Sequence, residues 1–387
     1  MALFKRRVRK ADQARLEAVI KGNVAFALAL YRELRATPGN LFVSPYSISS
    51  TLAMTYAGAR GDTQTQMAKA LHLPPEQKQF HATFALLGAL LGDVVKKSHI
   101  QLMVANALWP RQGYEFLKEF LSLAKKFYAS QITPVDYDDA EAARQMINNW
   151  VEERTESKIK DLIPAGVLDG MTRLVLVNAI YFKGEWADQF DPALTSQAPF
   201  LTAPDMQVQV PMMTRKQEFK YAEDGDVQIL ELPYTGDDLS MLVLLPREMN
   251  VLEKLEASLN LENLDKWVGD LAGTEVEVSL PRFEVNFPFR LDDTLKSLGM
   301  VNAFSNKADF SGMDGSRELF IGAILHKAFV AVNEQGTEAA AATAAIMQTK
   351  AVAFTPVVFR ADHPFVFIIR ANKTRSILFM GRLANPV

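Results

Sequence analysis

The chain has 387 residues, of which 49% are hydrophobic and 22% charged, with a formal net charge of −3. This near-neutral balance gives no reason to expect nucleic acid or a membrane surface as a partner, and no apolar stretch is long enough to span a bilayer. The absence of cysteine excludes disulfides, thiolate metal sites and a cysteine nucleophile.

A basic cluster lies near the N-terminus and comprises Lys5, Arg6, Arg7, Arg9 and Lys10. Only three apolar residues separate the first methionine from it, and no hydrophobic stretch follows, so the pattern does not predict a signal peptide. We interpret residues 1–12 as a mobile, solvated tail and residues 13–387 as one folded domain.

Helical periodicity dominates the first 160 residues. It predicts a helix over 12–36. The pair Ser44-Pro45 marks the start of a second helix, because serine caps a helix and proline fits its first turn. We expect that helix to end at Gly58 and Gly61. The predicted helices after the first cover residues 46–57, 62–73, 76–96, 115–128 and 139–156, and two strands between them cover 41–43 and 100–108.

Strands dominate the rest of the chain. Residues 174–182 form a nearly continuous apolar run, which predicts a strand covered on both faces. The other predicted strands cover 200–213, 227–232, 240–245, 276–280, 326–332, 355–359, 364–370 and 376–383, with a helix at 291–298. Helices followed by strands indicate an α+β fold in one large domain with several sheets.

Local catalytic motifs are missing from the sequence. There is no GxSxG elbow, HExxH pair, phosphate-binding glycine loop or dinucleotide fingerprint. No two histidines have metal-ligand spacing; they are His72, His81, His99, His326 and His363. Serines and carboxylates are plentiful, so a hydrolase with a discontinuous catalytic triad stays open as an alternative, but we expect neither enzymatic activity nor a cofactor.

One stretch has an unusual composition, residues 333–354, NEQGTEAAAATAAIMQTKAVAF. Six of the eight residues from 338 to 345 are alanine, and none of the eight is large and apolar. Apolar runs that predict strands lie on both sides. Composition alone leaves two interpretations open, a surface helix and a flexible tether.

Several segments, read in order, resemble the serpin family. They include NLFVSPYSISSTLAMTYAGARGDT (40–63), LVNAIYFKGEW (176–186), HKAFVAVNEQGTEAAAAT (326–343) and DHPFVFII (362–369). The resemblance covers the chain after about residue 15. It implies a single domain of about nine helices and three β-sheets, with an exposed reactive-centre loop at about residues 337–355 that can insert into a sheet.

The resemblance also implies a mechanism and a partner. A serine protease attacks the loop and forms a covalent acyl-enzyme, and the cut loop then inserts as a strand into the main sheet. We expect a monomeric, extracellular inhibitor, although the missing signal peptide leaves an intracellular location open. A non-inhibitory serpin, acting as a carrier or chaperone-like protein, is the alternative.

The family's spacing, counted forward from Glu334 and back from Pro364, places the reactive bond at Lys350–Ala351. A lysine there fits the Asp-bottomed pocket of a trypsin-like protease. The alternatives are a chymotrypsin-like target cutting at Phe354, and an elastase-like or subtilisin-like target cutting at Met347 or Ala351.

A loop that inserts into a sheet needs small side chains and a hinge. The predicted hinge residues are Glu334, Gly336, Thr337, Ala339, Ala340, Ala341, Ala342 and Thr343. Two further groups follow from the resemblance. The shutter, a polar cluster beneath the main sheet, comprises Ser44, Ser47, Asn178 and His326. The breach, where the loop first enters, comprises Trp186, Arg282 and Glu334, and we expect an Arg282–Glu334 ion pair there.

Overall fold

The computed structural model describes residues 10–74, 77–98, 100–337 and 356–387. These residues form ten α-helices. In chain order they are α1 (Lys10–Leu34), α2 (Pro45–Tyr56), α3 (Gly61–Ala70), α4 (Gln77–Lys97), α5 (Lys118–Tyr128), α6 (Ala140–Arg154), α7 (Leu252–Ser258), α8 (Leu261–Gly269), α9 (Asp292–Ser297) and α10 (Ser311–Asp314). No helix in the described ranges is long and apolar enough to cross a membrane.

Fifteen strands are interleaved with these helices. They are β1 (Leu41–Val43), β2 (Gln101–Pro110), β3 (Gln131–Ile132), β4 (Leu174–Glu185), β5 (Ser196–Ala203), β6 (Met206–Asp224), β7 (Val227–Pro233), β8 (Leu239–Pro246), β9 (Ala272–Pro281), β10 (Phe283–Arg290), β11 (Ala323–Asn333), β12 (Gly336–Thr337), β13 (Val357–Arg360), β14 (Phe365–Ala371) and β15 (Ile377–Leu383).

Hydrogen bonding joins the strands into two sheets. The six-stranded sheet has the order β10-β11-β12-β4-β2-β3, and β11 also pairs directly with β4. The nine-stranded sheet has the order β1-β15-β14-β8-β7-β6-β9-β13, with β5 paired to β6. The 19-residue β6 pairs with β7 near its end and with β5 and β9 elsewhere. The resemblance implied three sheets, whereas the hydrogen bonds of the described residues join the strands into two, because the long β6 pairs with β5, β7 and β9.

Helix α2 lies between the two sheets and contacts both β4 and β15. Its start follows the predicted signals, because Ser44 caps it and Pro45 occupies its first turn. On the other face of the six-stranded sheet, α6 and the segment after it enclose a second apolar cluster. Strand β4 therefore has packing on both faces, and every residue from 174 to 182 is buried, as its continuous apolar run predicts.

Some predictions at the level of elements are wrong. The single strand predicted over 200–213 is a hairpin of β5 and β6, because Pro204 and Asp205 form a turn. Gly61 begins α3 instead of ending α2. The sequence interpretation missed β10, α7 and α8. Helix α1 begins within the last three residues of the predicted basic tail.

Part of the predicted site lies outside the described residues. This applies to the reactive bond Lys350–Ala351 and to the alanine-rich positions Ala339, Ala340, Ala341, Ala342 and Thr343. The basic residues before Lys10 also lie outside them.

Candidate functional site

The predicted site residues within the described ranges gather around the joint between β4 and β11. These two strands run parallel and pair over residues 175–181 and 323–329. Near the carboxyl end of both, the two-residue strand β12 lies between them and is antiparallel to each. The chain that leads into the predicted reactive-centre loop therefore begins as a strand inside the sheet. Any extension of that strand requires β4 and β11 to separate.

A row of polar side chains crosses the middle of this joint. Asn106 on β2 and His326 on β11 are both register partners of Asn178 on β4. The Asn178 amide lies 2.6 Å from Asn106 Oδ1, 2.7 Å from Ser47 Oγ and 3.0 Å from Thr51 Oγ1, where it acts as donor. Two strands and α2 thus share one amide group. We call Ser44, Ser47, Thr51, Asn106, Asn178 and His326 the shutter cluster.

His326 is fully buried in the shutter cluster. The main-chain N–H of Ser44 donates to Nε2 at 3.1 Å, so the ring proton is on Nδ1, which lies 2.5 Å from Asn178 Oδ1. Burial lowers the pKa of His326 to about 3, against a smaller raising effect of Asn178. The ring is therefore neutral at physiological pH, and both of its nitrogens have partners.

Ser44 connects the shutter cluster to the second sheet. Its Oγ accepts from the main-chain N–H of Ser47 at 3.2 Å, which caps α2, and donates to the carbonyl of Leu378 on β15 at 2.7 Å. Ser44 is fully buried, and this pair of contacts uses its hydroxyl both as donor and as acceptor. One cluster therefore fixes α2 against both sheets.

An ion pair holds Glu334, just before the predicted reactive-centre loop. Arg282 Nε donates to both carboxylate oxygens of Glu334, at 2.7 and 2.8 Å, and Thr195 Oγ1 donates to Oε1 at 2.5 Å. The Glu334 side chain is 6% exposed, whereas that of Arg282 is 45% exposed. Burial raises the pKa of the Glu334 carboxyl, but hydrogen bonds from Arg282 and Thr195 outweigh it, so the pKa lies below its usual value.

Trp186 and Tyr234 form the floor beneath this base. Their rings stack with centroids 4.8 Å apart and an interplanar angle of 15°. Trp186 Nε1 donates to the carbonyl of Asn333 at 3.0 Å, and its main-chain N–H donates to the carbonyl of Gln335 at 2.8 Å. Tyr234 Oη lies 2.9 Å from Thr337 Oγ1, and both residues are fully buried. We call Trp186, Thr195, Tyr234, Arg282 and Glu334 the breach cluster.

Position 336 must be a glycine because the backbone of β4 lies too close to it for any side chain. A Cβ at this position would lie 2.1 Å from the carbonyl oxygen of Gly184 and 2.6 Å from Cα of Glu185. Both atoms belong to the backbone of β4, so they cannot move aside as a flexible side chain can. The sequence suggested this glycine as a hinge with free dihedral angles, and the structure adds a steric reason for it.

Four residues of the two clusters escaped the sequence interpretation. Asn106 offered a weak signal, as a polar residue inside an apolar strand, and Thr51 one as a polar residue in an apolar helix. Thr195 and Tyr234 offered none, because their partners Glu334 and Thr337 lie more than 100 residues away along the chain.

Comparisons with known proteins agree with this geometry. The family model described as "Serpin (serine protease inhibitor)" matches residues 21–386. Human leukocyte elastase inhibitor is 45% identical over 385 residues, covering 96% of this chain and all of the relative. The comparisons give no support to the extracellular location that the resemblance implied.

Two solved structures share the fold. The crystal structure of uncleaved ovalbumin matches with a TM-score of 0.86 at 31% identity, covering 95% of this chain and 100% of that one. The crystal structure of human thyroxine-binding globulin in complex with thyroxine matches with a TM-score of 0.88 at 32% identity, covering 96% and 100%.

Proposed function

Because this chain belongs to the serpin family, we propose that it inhibits a serine protease as a suicide substrate, trapping it through insertion of the cut loop between β4 and β11. The observation that carries this proposal is β12. Its two residues already pair with β4 on one side and β11 on the other. A longer strand in the same register would extend a ladder that has begun.

The register defines how far the strand can extend. Gly336 pairs with Glu185 and Thr337 with Gly184. Each further residue of the loop would therefore pair with the preceding residue of β4, and position 347 would lie opposite Leu174, the first residue of β4. The direct β4–β11 pairing over residues 175–181 would be replaced by two new ladders. Each added hydrogen bond contributes about 1 kcal/mol net, which offsets part of the entropy lost on ordering the loop.

The alanine-rich composition fits this path. The Thr337 side chain is fully buried against Tyr234, and side chains alternate between the faces of a strand. Ala339, Ala341 and Thr343 would then share the face of Thr337, beneath which the core is already packed. Small side chains enter such a space with little steric cost, whereas a large charged side chain would not.

We propose Lys350–Ala351 as the reactive bond and a trypsin-like protease as the target. The lysine side chain suits an Asp-bottomed specificity pocket. The name of the relative, leukocyte elastase inhibitor, supports an elastase-like target instead. Met347 and Ala351 are the candidate cleavage sites for that alternative, and Phe354 is the candidate for a chymotrypsin-like protease.

Incubation with trypsin and, separately, with leukocyte elastase tests both the mechanism and the target. The expected result is an SDS-stable complex with trypsin and, after denaturation, a separate peptide that begins at Ala351. The Lys350→Ala variant should lose the trypsin complex. An elastase complex of the wild type, with a separated peptide that begins after Met347 or after Ala351, would support the alternative target. Cleavage by both proteases with full protease activity remaining would contradict inhibition.

Insertion has its own test in two matched variants. Thr343→Arg places a large charge on the inserting side of the reactive bond, so the protein should become a substrate that is cut without trapping. Thr355→Arg introduces the same charge on the C-terminal side of the reactive bond, which does not insert, and should leave the number of inhibitor molecules consumed per protease nearly unchanged. Loop cleavage of the wild type should also raise the melting temperature, because the inserted strand adds a ladder that is lost on unfolding.

A specific feature favours a carrier as the second candidate. A depression of about 470 Å³ lies between α1, α8 and the β14–β15 hairpin. Arg370 lines it and is 7% exposed; its Nη2 pairs with the buried Glu231 carboxylate, and its Nε has no partner among the described residues. Thyroxine-binding globulin, which shares the fold, was solved with thyroxine bound. Unimpaired trypsin activity together with saturable binding of an anionic aromatic dye, reduced in Arg370→Leu, would favour this candidate.

A further inference from the structure

The connection between β4 and β5 comprises residues 186–195, and we call it the breach connection. It makes four hydrogen bonds to residues 333–335, which lead from β11 into β12. Three of these bonds come from the tryptophan and the threonine of the breach cluster. The fourth joins the main-chain N–H of Phe190 to the carbonyl of Glu334 at 2.8 Å. A shift of the breach connection would therefore move β12 relative to β4 and β11.

Strand β6 of the other sheet holds the breach connection through one arginine. Arg215 Nη1 donates to the carbonyl of Gln189, and Nη2 lies 3.5 Å from the Asp188 carboxylate. Gln217 Nε2 also donates to Asp188, at 3.4 Å. One guanidinium therefore fixes the main chain directly before the Phe190 amide.

Arg215 lies on the core-facing side of β6. Side chains alternate between the two faces of a strand, so Met213, Arg215, Gln217 and Phe219 share one face, and Met213 and Phe219 are buried. Arginine is seldom placed among buried residues without a partner. The two polar residues interrupt the apolar face because the breach connection, rather than packed apolar side chains, covers that part of the strand.

We propose that Arg215 is a positioning residue for loop insertion, acting through Gln189 and Phe190 on the turn that sets β12. The inference rests on the proposed function, in which insertion extends the ladders that β12 has begun. Without the arginine, β12 is held less firmly between β4 and β11, so insertion starts more slowly. The acyl-enzyme then has more time to react with water, which breaks the ester, restores the serine hydroxyl of the protease and leaves a carboxylate on the cut loop.

The hydrogen bond to the carbonyl, rather than the ion pair, carries this role. The pair with Asp188 is long, and the aspartate side chain is 58% exposed, so its contribution is small. The carbonyl of Gln189 belongs to the main chain, and its position is coupled directly to that of the next amide. Asp188→Asn should therefore behave like the wild type in each assay below.

Arg111 is a matched control at the opposite end of the six-stranded sheet. Its side chain is 23% exposed and pairs with the exposed Asp138, and it donates to the carbonyl of Gly170 at 2.6 Å. Arg215 and Arg111 thus make the same kinds of contact, but only Arg215 contacts the breach connection. Arg215→Ala and Arg111→Ala should lose similar stability in urea denaturation, which separates positioning from general destabilisation.

Hydrogen exchange measures the hold on β12 without any protease. Peptides that contain Gly336 and Thr337 should exchange about threefold faster in Arg215→Ala than in the wild type, because local opening exposes their amides. The same peptides should exchange at the wild-type rate in Arg111→Ala. Equal exchange in these two variants would overturn the proposal. Exchange in Asp188→Asn as fast as in Arg215→Ala would overturn the assignment of the role to the carbonyl.

Titration of trypsin with the inhibitor measures the consequence for trapping. In Arg215→Ala the number of inhibitor molecules consumed per protease should rise severalfold, while the rate of loop cleavage stays unchanged. Arg215→Lys should restore part of the trapping, because an ammonium can reach the carbonyl but lacks the planar fork of the guanidinium.

The same titration can contradict the proposal. Equal consumption of inhibitor in Arg215→Ala and Arg111→Ala would overturn a role in insertion. Failure of the wild type to trap any protease would instead refute the proposed function, whereas the exchange measurement would still decide whether Arg215 holds β12.

Discussion

The shutter cluster and the breach cluster hold the same two strands together by different means. The shutter is neutral, its Asn178 and His326 are fully buried, and its hydrogen bonds reach four strands and a helix. The breach contains an ion pair whose arginine is 45% exposed. A buried neutral network is costly to open because each group left unpaired loses its partner without gaining water. The breach arginine can pair with water as it leaves, so we expect the joint to open there first.

Loss of Asn178 should lower the stability of the protein more than any other substitution in the two clusters. Asn178→Ala removes the side chain shared by His326, Ser47, Thr51 and Asn106 and leaves buried polar groups unpaired. We expect the free energy of unfolding to fall by about 3 to 4 kcal/mol, measured by urea denaturation. Thr51→Ala removes one acceptor of Asn178 and a long hydrogen bond to the Ser47 carbonyl, and should cost about 1 kcal/mol. Similar costs for the two variants would mean that the cluster is not centred on Asn178.

Loss of the breach arginine should have the next largest effect. Arg282→Ala leaves the buried Glu334 carboxylate without its cation, and we expect a cost of about 2 kcal/mol, less than for a fully buried pair because Arg282 is half-exposed. Arg290→Ala is a matched control, because Arg290 is also about half-exposed and pairs with the buried Asp292. The two variants should lose similar stability.

Only the Arg282 variant should alter the loop. We expect its loop to be cut faster by a non-target protease, because Glu334 anchors the loop base. An equal cutting rate in Arg282→Ala and Arg290→Ala would show that the ion pair does not control the loop.

The two clusters should contribute differently to the pH dependence of stability. The pKa of His326 is lowered to about 3 in the folded protein, so at pH values between 6.5 and 3 the unfolded chain binds the extra proton. Stability is therefore full above pH 6.5 and falls as the pH drops. From pH 6.5 to pH 5 the loss is about 2 kcal/mol. The pKa of Glu334 is also lowered. Its contribution to stability is therefore lost only when the pH falls below the ordinary pKa of a carboxyl group.

Unfolding measurements at pH 8, 6 and 5 can isolate the histidine contribution. His81 has a pKa lowered to about 4 by burial and adds a slope of the same sign. The difference between the wild type and His326→Gln removes that shared part. Identical pH dependence in both proteins would contradict the assignment of His326 as a buried neutral residue.

The smallest expected effect concerns the hydroxyl pair under the loop. Tyr234→Phe leaves the buried Thr337 hydroxyl without the partner that lies 2.9 Å away, at a cost of about 1 kcal/mol. Thr337→Val should cost a similar amount, and the double variant should cost less than the sum of the two because the second change leaves nothing further unpaired. Additive losses would show that the two hydroxyls do not interact in solution.

The sequence determined much of the architecture by itself. The capping pair Ser44-Pro45 predicted the start of α2, and the apolar run over 174–182 predicted a strand buried on both faces. These signals are local, since they arise from neighbouring residues and from the periodicity of one element. The turn at Pro204-Asp205 and the alternating pattern of β10 were also local signals, and the interpretation missed both.

The tertiary structure alone decided which side chains meet. His326 contacts Asn178, which is 148 residues away along the chain, and Ser44, which is 282 residues away. Tyr234 contacts Thr337, which is 103 residues away. Strand register fixes these contacts, and register depends on the packing of whole sheets against α2. Gly336 also acquires its steric role only when β12 lies against the backbone of β4. Residue types identify candidates for a hydrogen bond, but only the fold brings donor and acceptor within 3 Å.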